Sequence, residues 1–542
     1  MTDRFIVTAD PPTPNGDLHV GHLSGPYFAA DAMARALRLQ GKQVAFISNV
    51  DANQPYVVTK GLRLGMTADE VVSHFRERIA RTLAANAIEP DYVGFPDERQ
   101  RAFVERFFAD LLGKGKLLVK EDALPYCPGC ERFLFEAYLQ GTCPHCGAPC
   151  YGNGCEQCSL PNDPRDMGAP LCRVCGKPPA GLRSYRGLFL PLSRYQEELK
   201  AYLRTRAGIT RQHALDLVLG AMERPLPDIP LTYASDYGFP VSLPGFEGQI
   251  WNVRQEILPA LINTFDEWRE RQPDGGWDWR EPDSYEVVCF HGYENAFQYV
   301  ASFNTQLIAS DLGWKLPYAN VTNEFYLLDG KKFSTTRNHA VWGSDLLSRV
   351  SSDAVRFYLA LTNPETEETD FVISQFRDTT DRRLVHPWNA IHRCVGELLA
   401  DGRAKKPGPP PRFGVGSRER LHAFAGDMKS AYAIESFSLR RAADRLVSWL
   451  EDLSAQAVSL RASRPEGKAL EAALTEVLNG VQAFAVFAQP VMPRFAARVQ
   501  RSLGWPEETW HCYTRTVDPG AVSWQDDLRL SPLAEADLDF GS

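Results

Sequence analysis

The chain has 542 residues, of which 44% are hydrophobic and 23% charged, and its formal net charge is −9. This length exceeds what one core organises, so several structural units are expected. The net negative charge argues against a protein that binds nucleic acid over much of its surface, although a local basic face is compatible with it. Because we find no signal-peptide pattern and no run of about 18 apolar residues, we expect no membrane partner.

The first elements predict the opening of a doubly wound parallel sheet. A short apolar strand over residues 4–8 is followed by a Pro/Gly-rich loop and a helix over 19–39. A second apolar strand over 43–50 leads to Asp51. This order is typical of an α/β fold that binds ligands at the carboxyl ends of its strands. Helical periodicity continues over about 67–85 and 97–112.

A cysteine-rich segment then interrupts the α/β pattern. Residues 126–179 are rich in Cys, Gly and Pro, and CxxC pairs supply thiolates for tetrahedral zinc. The segment has few apolar runs, so we expect metal to hold it together in a reducing cytoplasm. The other cysteines (150, 289, 394 and 512) are interpreted as ordinary small residues. The pairs are Cys127/Cys130, Cys143/Cys146, Cys155/Cys158 and Cys172/Cys175.

The second half of the chain returns to α/β and ends in helices. We predict a strand over 285–290, a helix over 294–310 and a basic, hydroxyl-rich loop over 332–336. From about 373 to the 510s the pattern is mainly helical, and the last 25 or so residues are acidic and predicted to pack loosely.

Two motifs indicate phosphate chemistry. His19 and His22 flank Gly21 at a helix start, where backbone N–H groups and the helix dipole favour an anion. Glycine lets a ligand approach the backbone there. Lys332 supplies a cation in the later loop. Together these groups suit the charge that develops on a triphosphate attacked at its α-phosphorus. The alternatives are histidines that cap a helix and a solvated surface turn.

These motifs resemble the HIGH and KMSKS signatures of class I aminoacyl-tRNA synthetases. Blocks over 6–22, 47–51, 290–294 and 330–337 are similar to those of methionyl-tRNA synthetases. The resemblance implies an α/β fold, with a doubly wound parallel (Rossmann-like) catalytic domain, an inserted zinc-knuckle domain and a C-terminal α-helical bundle. The implied domains are 1–120 and 236–325 (catalytic), 121–235 (insert), 326–385 (KMSKS-like loop and connecting region), 386–515 (helical) and 516–542 (tail).

The resemblance also implies ligands and residue roles. His19, His22 and Lys332 would stabilise charge on ATP, with Mg²⁺ screening the phosphates. Asp51 would hold the α-ammonium group of the amino acid. One or two structural zinc ions would be bound, with the inner cysteine pairs at one and the outer pairs at the other. The residues that would contact ATP are Gly21, Gly292, Glu294, Ser334 and Thr335, the last standing where the family has a second lysine.

The expected amino-acid pocket departs from that of the family. Its positions are Thr13, Trp251, Arg254, Asn295 and Tyr299, of which Trp251 fits. Thr13 stands in place of an aromatic residue, Arg254 of a small one and Asn295 of an aliphatic one. Their donors would be unpaired beside a thioether. A polar or acidic amino acid, or glycine, is therefore favoured over methionine, unless the alignment is displaced by one helical turn.

The helical domain departs from the family as well. The family reads the anticodon with an Asn/Asn/Arg row on one helix and a later tryptophan. Asn389 and Arg393 match two positions of that row, but Val385 replaces the other asparagine and Pro387 interrupts the helix. No tryptophan lies near 454–461. Because base stacking is worth about 1–3 kcal/mol per base, this loss argues against anticodon reading.

Three hypotheses follow, in order of preference. The first is an ATP-dependent ligase that forms an aminoacyl adenylate and acylates a small molecule such as an N-hydroxylated amine, without tRNA. The synthetase-like halves of hydrazine synthetases act in this way with a zinc cupin, expected here as a separate partner. The second is a methionine–tRNA ligase of translation with drifted motifs. The third is a catalytically silent zinc-binding or regulatory paralogue, against which the presence of His19, His22, Asp51 and Lys332 argues.

Overall fold

The structure, a computed structural model, describes residues 2–273, 275–281, 284–333, 339–400, 415–463, 465–505 and 510–540. It divides into two compact units. Unit 1 contains residues 1–17, 44–81 and 90–324, and unit 2 contains residues 18–43, 82–89 and 325–542. Ser334 and Thr335, which the resemblance assigns to ATP binding, lie outside the described residues.

A five-stranded parallel sheet organises unit 1. Its strands are β1 (Arg4–Ala9), β2 (Gln43–Asn49), β3 (Tyr92–Gly94), β4 (Glu286–Gly292) and β5 (Ala319–Asn323). The spatial order is β5-β4-β1-β2-β3, which is the order of a doubly wound, Rossmann-like sheet. The predicted fold class is therefore confirmed.

Apolar side chains on one long helix close the core of unit 1. Ile257, Leu261 and Phe265 of the helix Val253–Glu270 are buried together with Ile6 of β1 and Ile47 of β2. Their spacing of four residues forms one apolar stripe along the helix. The other helices that lie in or begin in unit 1 are Pro55–Leu64, Ala68–Ala85, Glu98–Gly113, Gln196–Thr205, Gln212–Ala221 and Asn304–Ser310.

The cysteine-rich segment and the residues that flank it form small antiparallel sheets. One has the order Asp228–Pro230, Leu182–Pro191, Leu118–Cys127, Arg132–Phe133. Another has the order Pro149–Tyr151, Leu139–Thr142, Gly168–Cys172. A third pairs Thr232–Ala234 with Gln249–Trp251.

The helix predicted over 19–39 is broken in unit 2. It consists of Val20–His22, a π-helical turn Leu23–Tyr27 and the regular helix Phe28–Leu39. Gly25 has a non-helical ψ of −134°, and Pro26 cannot donate a backbone hydrogen bond. The His19 motif is therefore held on its own short turn.

A helical bundle makes up most of unit 2, with a small sheet that places Tyr326–Leu328 between Lys331–Lys332 and Thr369–Phe371. Among the described residues, the helix Lys468–Ala488 is long and apolar enough to cross a membrane, but 78% of its apolar window is buried within the protein. It is a core helix of the bundle. The other helices are Gly343–Arg349, Ser352–Leu361, Ile373–Thr380, His386–Ala400, Val415–Tyr432, Leu439–Ser463 and Pro493–Ser502.

The prediction that the last residues pack loosely is wrong for residues 524–540, named here the C-terminal segment. Leu528 and Leu538 are 1% and 6% exposed. The Trp388 indole donates to the Leu528 carbonyl at 2.6 Å, so the segment is fixed to the helix His386–Ala400. Pro387 lies in the first turn of that helix, directly after a π-helical turn, rather than interrupting it.

Candidate functional site

A cavity of about 150 Å³ lies in unit 1 beside residues that follow three strands. It is lined by Asp10 after β1, Asp51 after β2 and Asn295 after β4. The carboxyl ends of parallel strands share one edge of a sheet, which is where such folds bind ligands. We name this space the amino-acid cavity, and its size suits a small polar molecule.

Asp51 lies buried at this cavity, 9% exposed. Its Oδ2 accepts a hydrogen bond from the Thr13 hydroxyl at 3.2 Å. Burial raises the pKa of Asp51 to about 7, although hydrogen bonds from Gln54 and Thr13 oppose the rise. A cation that binds beside such a carboxyl group stabilises its charged form and lowers its pKa again.

A second buried carboxylate, Asp10, was missed from the sequence. Its Oδ2 accepts hydrogen bonds from the Gly292 backbone N–H at 3.0 Å and the Asn295 side-chain amide at 3.1 Å. Burial raises the pKa of Asp10 to about 6, opposed by a hydrogen bond from Tyr299. The available signal was an acidic residue directly after an apolar first strand.

Arg254 reaches the amino-acid cavity already paired. Its Nε donates to Glu136 Oε1 at 2.9 Å, and Glu136 is only 1% exposed. The prediction that Arg254 would leave unpaired donors is therefore wrong. Glu136 comes from the cysteine-rich segment, where its backbone has a positive φ of 42° and its N–H is held by Asn153. A Cβ on Gly152 would lie 2.0 Å from that nitrogen, so the turn requires glycine there.

The predicted pocket residues divide into two groups. Thr13, Arg254 and Asn295 line the amino-acid cavity. Trp251 does not: it is fully buried, and its indole N–H donates to Glu105 at 2.8 Å. Tyr299 stacks on the ring of His291 behind the cavity. Its hydrogen bond to Asp10 opposes the rise in the pKa of that lining residue. The cavity is consequently lined mostly by polar residues, with Tyr56 as the aromatic residue among those that the structure describes there.

The two phosphate motifs meet in unit 2. The rings of His19 and His22 stack with centroids 3.7 Å apart, and Phe333 stacks on His19 at 4.5 Å. Phe333 also covers Gly21, where a Cβ would lie 2.9 Å from its ring. Burial, and then the neighbouring His22, lowers the pKa of His19, so the ring is neutral at pH 7. Its buried Nδ1 has no hydrogen-bond partner among the described residues, as expected of a group kept for a ligand.

Lys332 directly precedes Phe333 in the chain. Its Nζ lies 3.5 Å from the centroid of the Phe325 ring, a cation–π contact that holds the side chain. In unit 1, Glu294 bends back over Gly292, where a Cβ would lie 2.4 Å from the carboxylate. Glu294 also lines the amino-acid cavity, so this pair, to which the resemblance assigns contacts with ATP, lies beside that cavity.

The eight paired cysteines form two clusters, grouped as the resemblance implies. A tetrahedral zinc ion with bonds of about 2.3 Å separates its sulfurs by about 3.8 Å. Sγ–Sγ distances of 3.5–3.9 Å therefore fit zinc. The outer cluster is Cys127, Cys130, Cys172 and Cys175, and the inner cluster is Cys143, Cys146, Cys155 and Cys158.

Comparison with known proteins gives a consistent result. The model of the family described as tRNA synthetases class I (M) matches residues 5–395. The methionine–tRNA ligase of Thermomicrobium roseum is 28% identical, over 97% of this chain and 91% of that protein. The methionine–tRNA ligase of Pyrococcus furiosus is 30% identical, over 72% of this chain and 56% of that protein.

Solved structures share the fold. The methionyl-tRNA synthetase of Mycobacterium tuberculosis bound by methionyl-adenylate superposes with a TM-score of 0.75 and 19% identity. The alignment covers 96% of this chain and 98% of that one. At this level of identity the likeness concerns the fold alone.

Proposed function

Because this chain belongs to the class I aminoacyl-tRNA synthetases of the methionyl type, and is an ATP-dependent ligase of that family, we propose that it activates an amino acid as an aminoacyl adenylate. The observation that carries the proposal is the amino-acid cavity with its two buried carboxylates, Asp10 and Asp51. Binding an ammonium group there offsets the cost of burying a charged carboxylate.

The proposed reaction begins with attack of the amino-acid carboxylate on the α-phosphorus of ATP, and pyrophosphate leaves. Asp51 holds the α-ammonium group and so orients the attacking carboxylate. His19 and His22 donate to phosphate oxygens as charge develops, and Lys332 leaves Phe325 to join them. Mg²⁺ would screen the phosphates, and the two thiolate clusters would hold one or two structural zinc ions.

The test is ATP–pyrophosphate exchange with each amino acid in turn. We expect His22→Ala to reduce exchange at least about tenfold, the loss expected for one electrostatic donor, with zinc content unchanged. His74→Ala, at an exposed histidine, is the matched control. Near-wild-type turnover of His22→Ala would remove His22 from the mechanism.

For the amino acid and the acceptor, the relatives support methionine and tRNA, since they are methionine–tRNA ligases. This hypothesis, second in the sequence analysis, is the better supported by the comparisons. It predicts exchange with methionine alone, coupled to charging of tRNA.

The second candidate is transfer to a small molecule, with a polar or acidic amino acid, or glycine, as the activated substrate. It is favoured by Asn389, whose side chain donates to the Leu530 carbonyl at 2.8 Å and accepts from its N–H at 3.0 Å. One of the two residues that match the anticodon-reading row is thus engaged by the C-terminal segment. The separate cupin partner and the cytoplasmic location remain predictions.

Measurement of AMP release distinguishes the two candidates. Once exchange has identified the activated amino acid, AMP release is measured first with total tRNA and then with small amines. Release that depends on tRNA supports the ligase of translation. Release that depends on an amine, with none on tRNA, supports the second candidate.

A further inference from the structure

Unit 1 contains a second cavity, of about 270 Å³, that adjoins the amino-acid cavity. The two cavities share four lining residues, which are Gly154, Arg254, Glu294 and Gln298. A molecule in this adjoining cavity therefore reaches the same groups as the amino acid does. All of its lining residues belong to unit 1.

One end of the adjoining cavity has more carboxylates than cations; it is lined by Lys120, Asp122, Asp163, Arg165 and Asp228. Arg165 donates to Asp122 at 2.7 Å and to Asp163 at 2.9 Å, so one guanidinium serves two acids. Lys120 and Asp228 form a balanced pair at 2.7 Å. This end consequently carries one excess negative charge, and its potential favours a cation.

A buried hydroxyl lies at the same end of the adjoining cavity. Tyr185 lines the adjoining cavity, is 7% exposed, and its Oη has no hydrogen-bond partner among the described residues. Burial raises the pKa of Tyr185, and Asp122 and Asp163 contribute to the rise, so the hydroxyl stays neutral close to these carboxylates. A buried polar group without a partner is unfavourable, and such groups are commonly satisfied by a ligand.

We propose that the adjoining cavity binds a small organic amine as acyl acceptor, with a cationic group at Asp122, Asp163 and Tyr185 and a nucleophilic nitrogen near Gln298. This inference rests on the amino-acid activation proposed above and on its second candidate, transfer to a small molecule. The uncharged nitrogen attacks the acyl carbon of the adenylate and forms a C–N bond. The acyl C–O bond to phosphate breaks, AMP leaves with that electron pair, and the proton released by nitrogen passes to water.

The first test is binding of cadaverine to the full chain by calorimetry, with glutarate as a dianion of similar length. We expect cadaverine to bind and glutarate not to bind. Asp122→Asn should weaken binding about tenfold or more, and Tyr185→Phe roughly threefold to tenfold. Asp110→Asn, at an exposed aspartate paired with Lys114, is the matched control and should bind as the wild type does. Tyr185→Phe removes no hydrogen bond within the described protein, so it should leave the fold intact.

The second test adds cadaverine to exchange and to AMP release with the activated amino acid. We expect pyrophosphate exchange to be unchanged and AMP release to rise. The proposal is overturned if cadaverine does not bind, if Asp122→Asn binds it equally well, or if it competes with the amino acid, which would make the cavity a side-chain pocket. If the wild type exchanges with no amino acid while cadaverine still binds, amino-acid activation fails and the binding site stands.

Discussion

At the scale of single residues, we expect Asp51 to couple the affinity for the amino acid to pH. Its pKa of about 7 means that the free protein carries a proton there below neutrality. An ammonium group binds the carboxylate, so that proton must leave. We expect the affinity for the activated amino acid to fall about tenfold per pH unit below pH 7 and to level off above it. Calorimetry between pH 5.5 and 8.5 measures this, and a flat profile would contradict the assigned role of Asp51.

The same carboxyl group should reduce stability at high pH. Its pKa is higher in the folded chain than the ordinary value of 3.8, so the folded state binds more protons between those values. Stability is therefore lost as pH rises through about 4 to 7, and the cost is complete above 7. Asp51→Asn avoids that cost, and we expect it to stabilise unit 1 at pH 8 by up to about 4 kcal/mol and little at pH 4. Thermal melts at both values test this; equal shifts at the two values would contradict it.

The resemblance to the family located Asp51, Thr13 and Asn295, which line the amino-acid cavity. It did not locate Asp10, although this residue directly follows the first strand. Glu136 could not be predicted, since its contact with Arg254 joins positions 118 residues apart through an irregular segment. Trp251 matched the family's pattern, yet its ring packs on Phe108 in the core. A residue type at an aligned position does not fix which way its side chain points.

At the scale of elements, the thiolate clusters link metal to the amino-acid cavity. The inner cluster spans 143–158, and this span contains Gly152 and Asn153, which hold the turn of Glu136. The residues of this span that belong to the buried hydrophobic cluster are Cys143, Cys150 and Cys155, so we expect the span to lose its order without metal. Glu136 would then no longer be positioned beside Arg254.

We therefore expect Cys143→Ser to lose one of two zinc ions and to raise the KM for the amino acid, because Glu136 is released. Cys150→Ser is the matched control, since Cys150 is buried nearby but belongs to neither cluster. Metal analysis counts the ions, and exchange kinetics give KM. Two zinc ions per chain in Cys143→Ser would exclude the inner cluster as a site.

The elements themselves were predicted better than their irregularities. The positions of strands and helices follow from the period at which apolar residues recur, because the side chains that face the core must be apolar. The break at Gly25 and the π-helical turn Asp381–Val385 carry no periodic signal. Both lie next to a proline, which lacks the N–H that a regular helix uses.

At the scale of the whole molecule, we expect the C-terminal segment to affect both the stability of the protein and the access of tRNA to Asn389. It buries Leu528 and Leu538, and Trp524 packs on the ring of His392 at 5.7 Å. Its acidic composition gave no sign of this docking. The contacts join positions about 130–140 residues apart, which sequence periodicity does not record.

We expect truncation after Ser523 to lower the Tm by several degrees, because it removes the burial of two leucines and the hydrogen bonds to Trp388 and Asn389. Exchange should be retained, because the hydrogen bonds given above join the segment to the helix His386–Ala400, which carries none of the residues assigned to the reaction. Leu528→Ala is the milder comparison and should lower the Tm by less. Calorimetric melting measures the shifts. An unchanged Tm would mean that the segment is not docked in solution, and Asn389 would then be open to tRNA, which favours the ligase of translation over transfer to a small molecule.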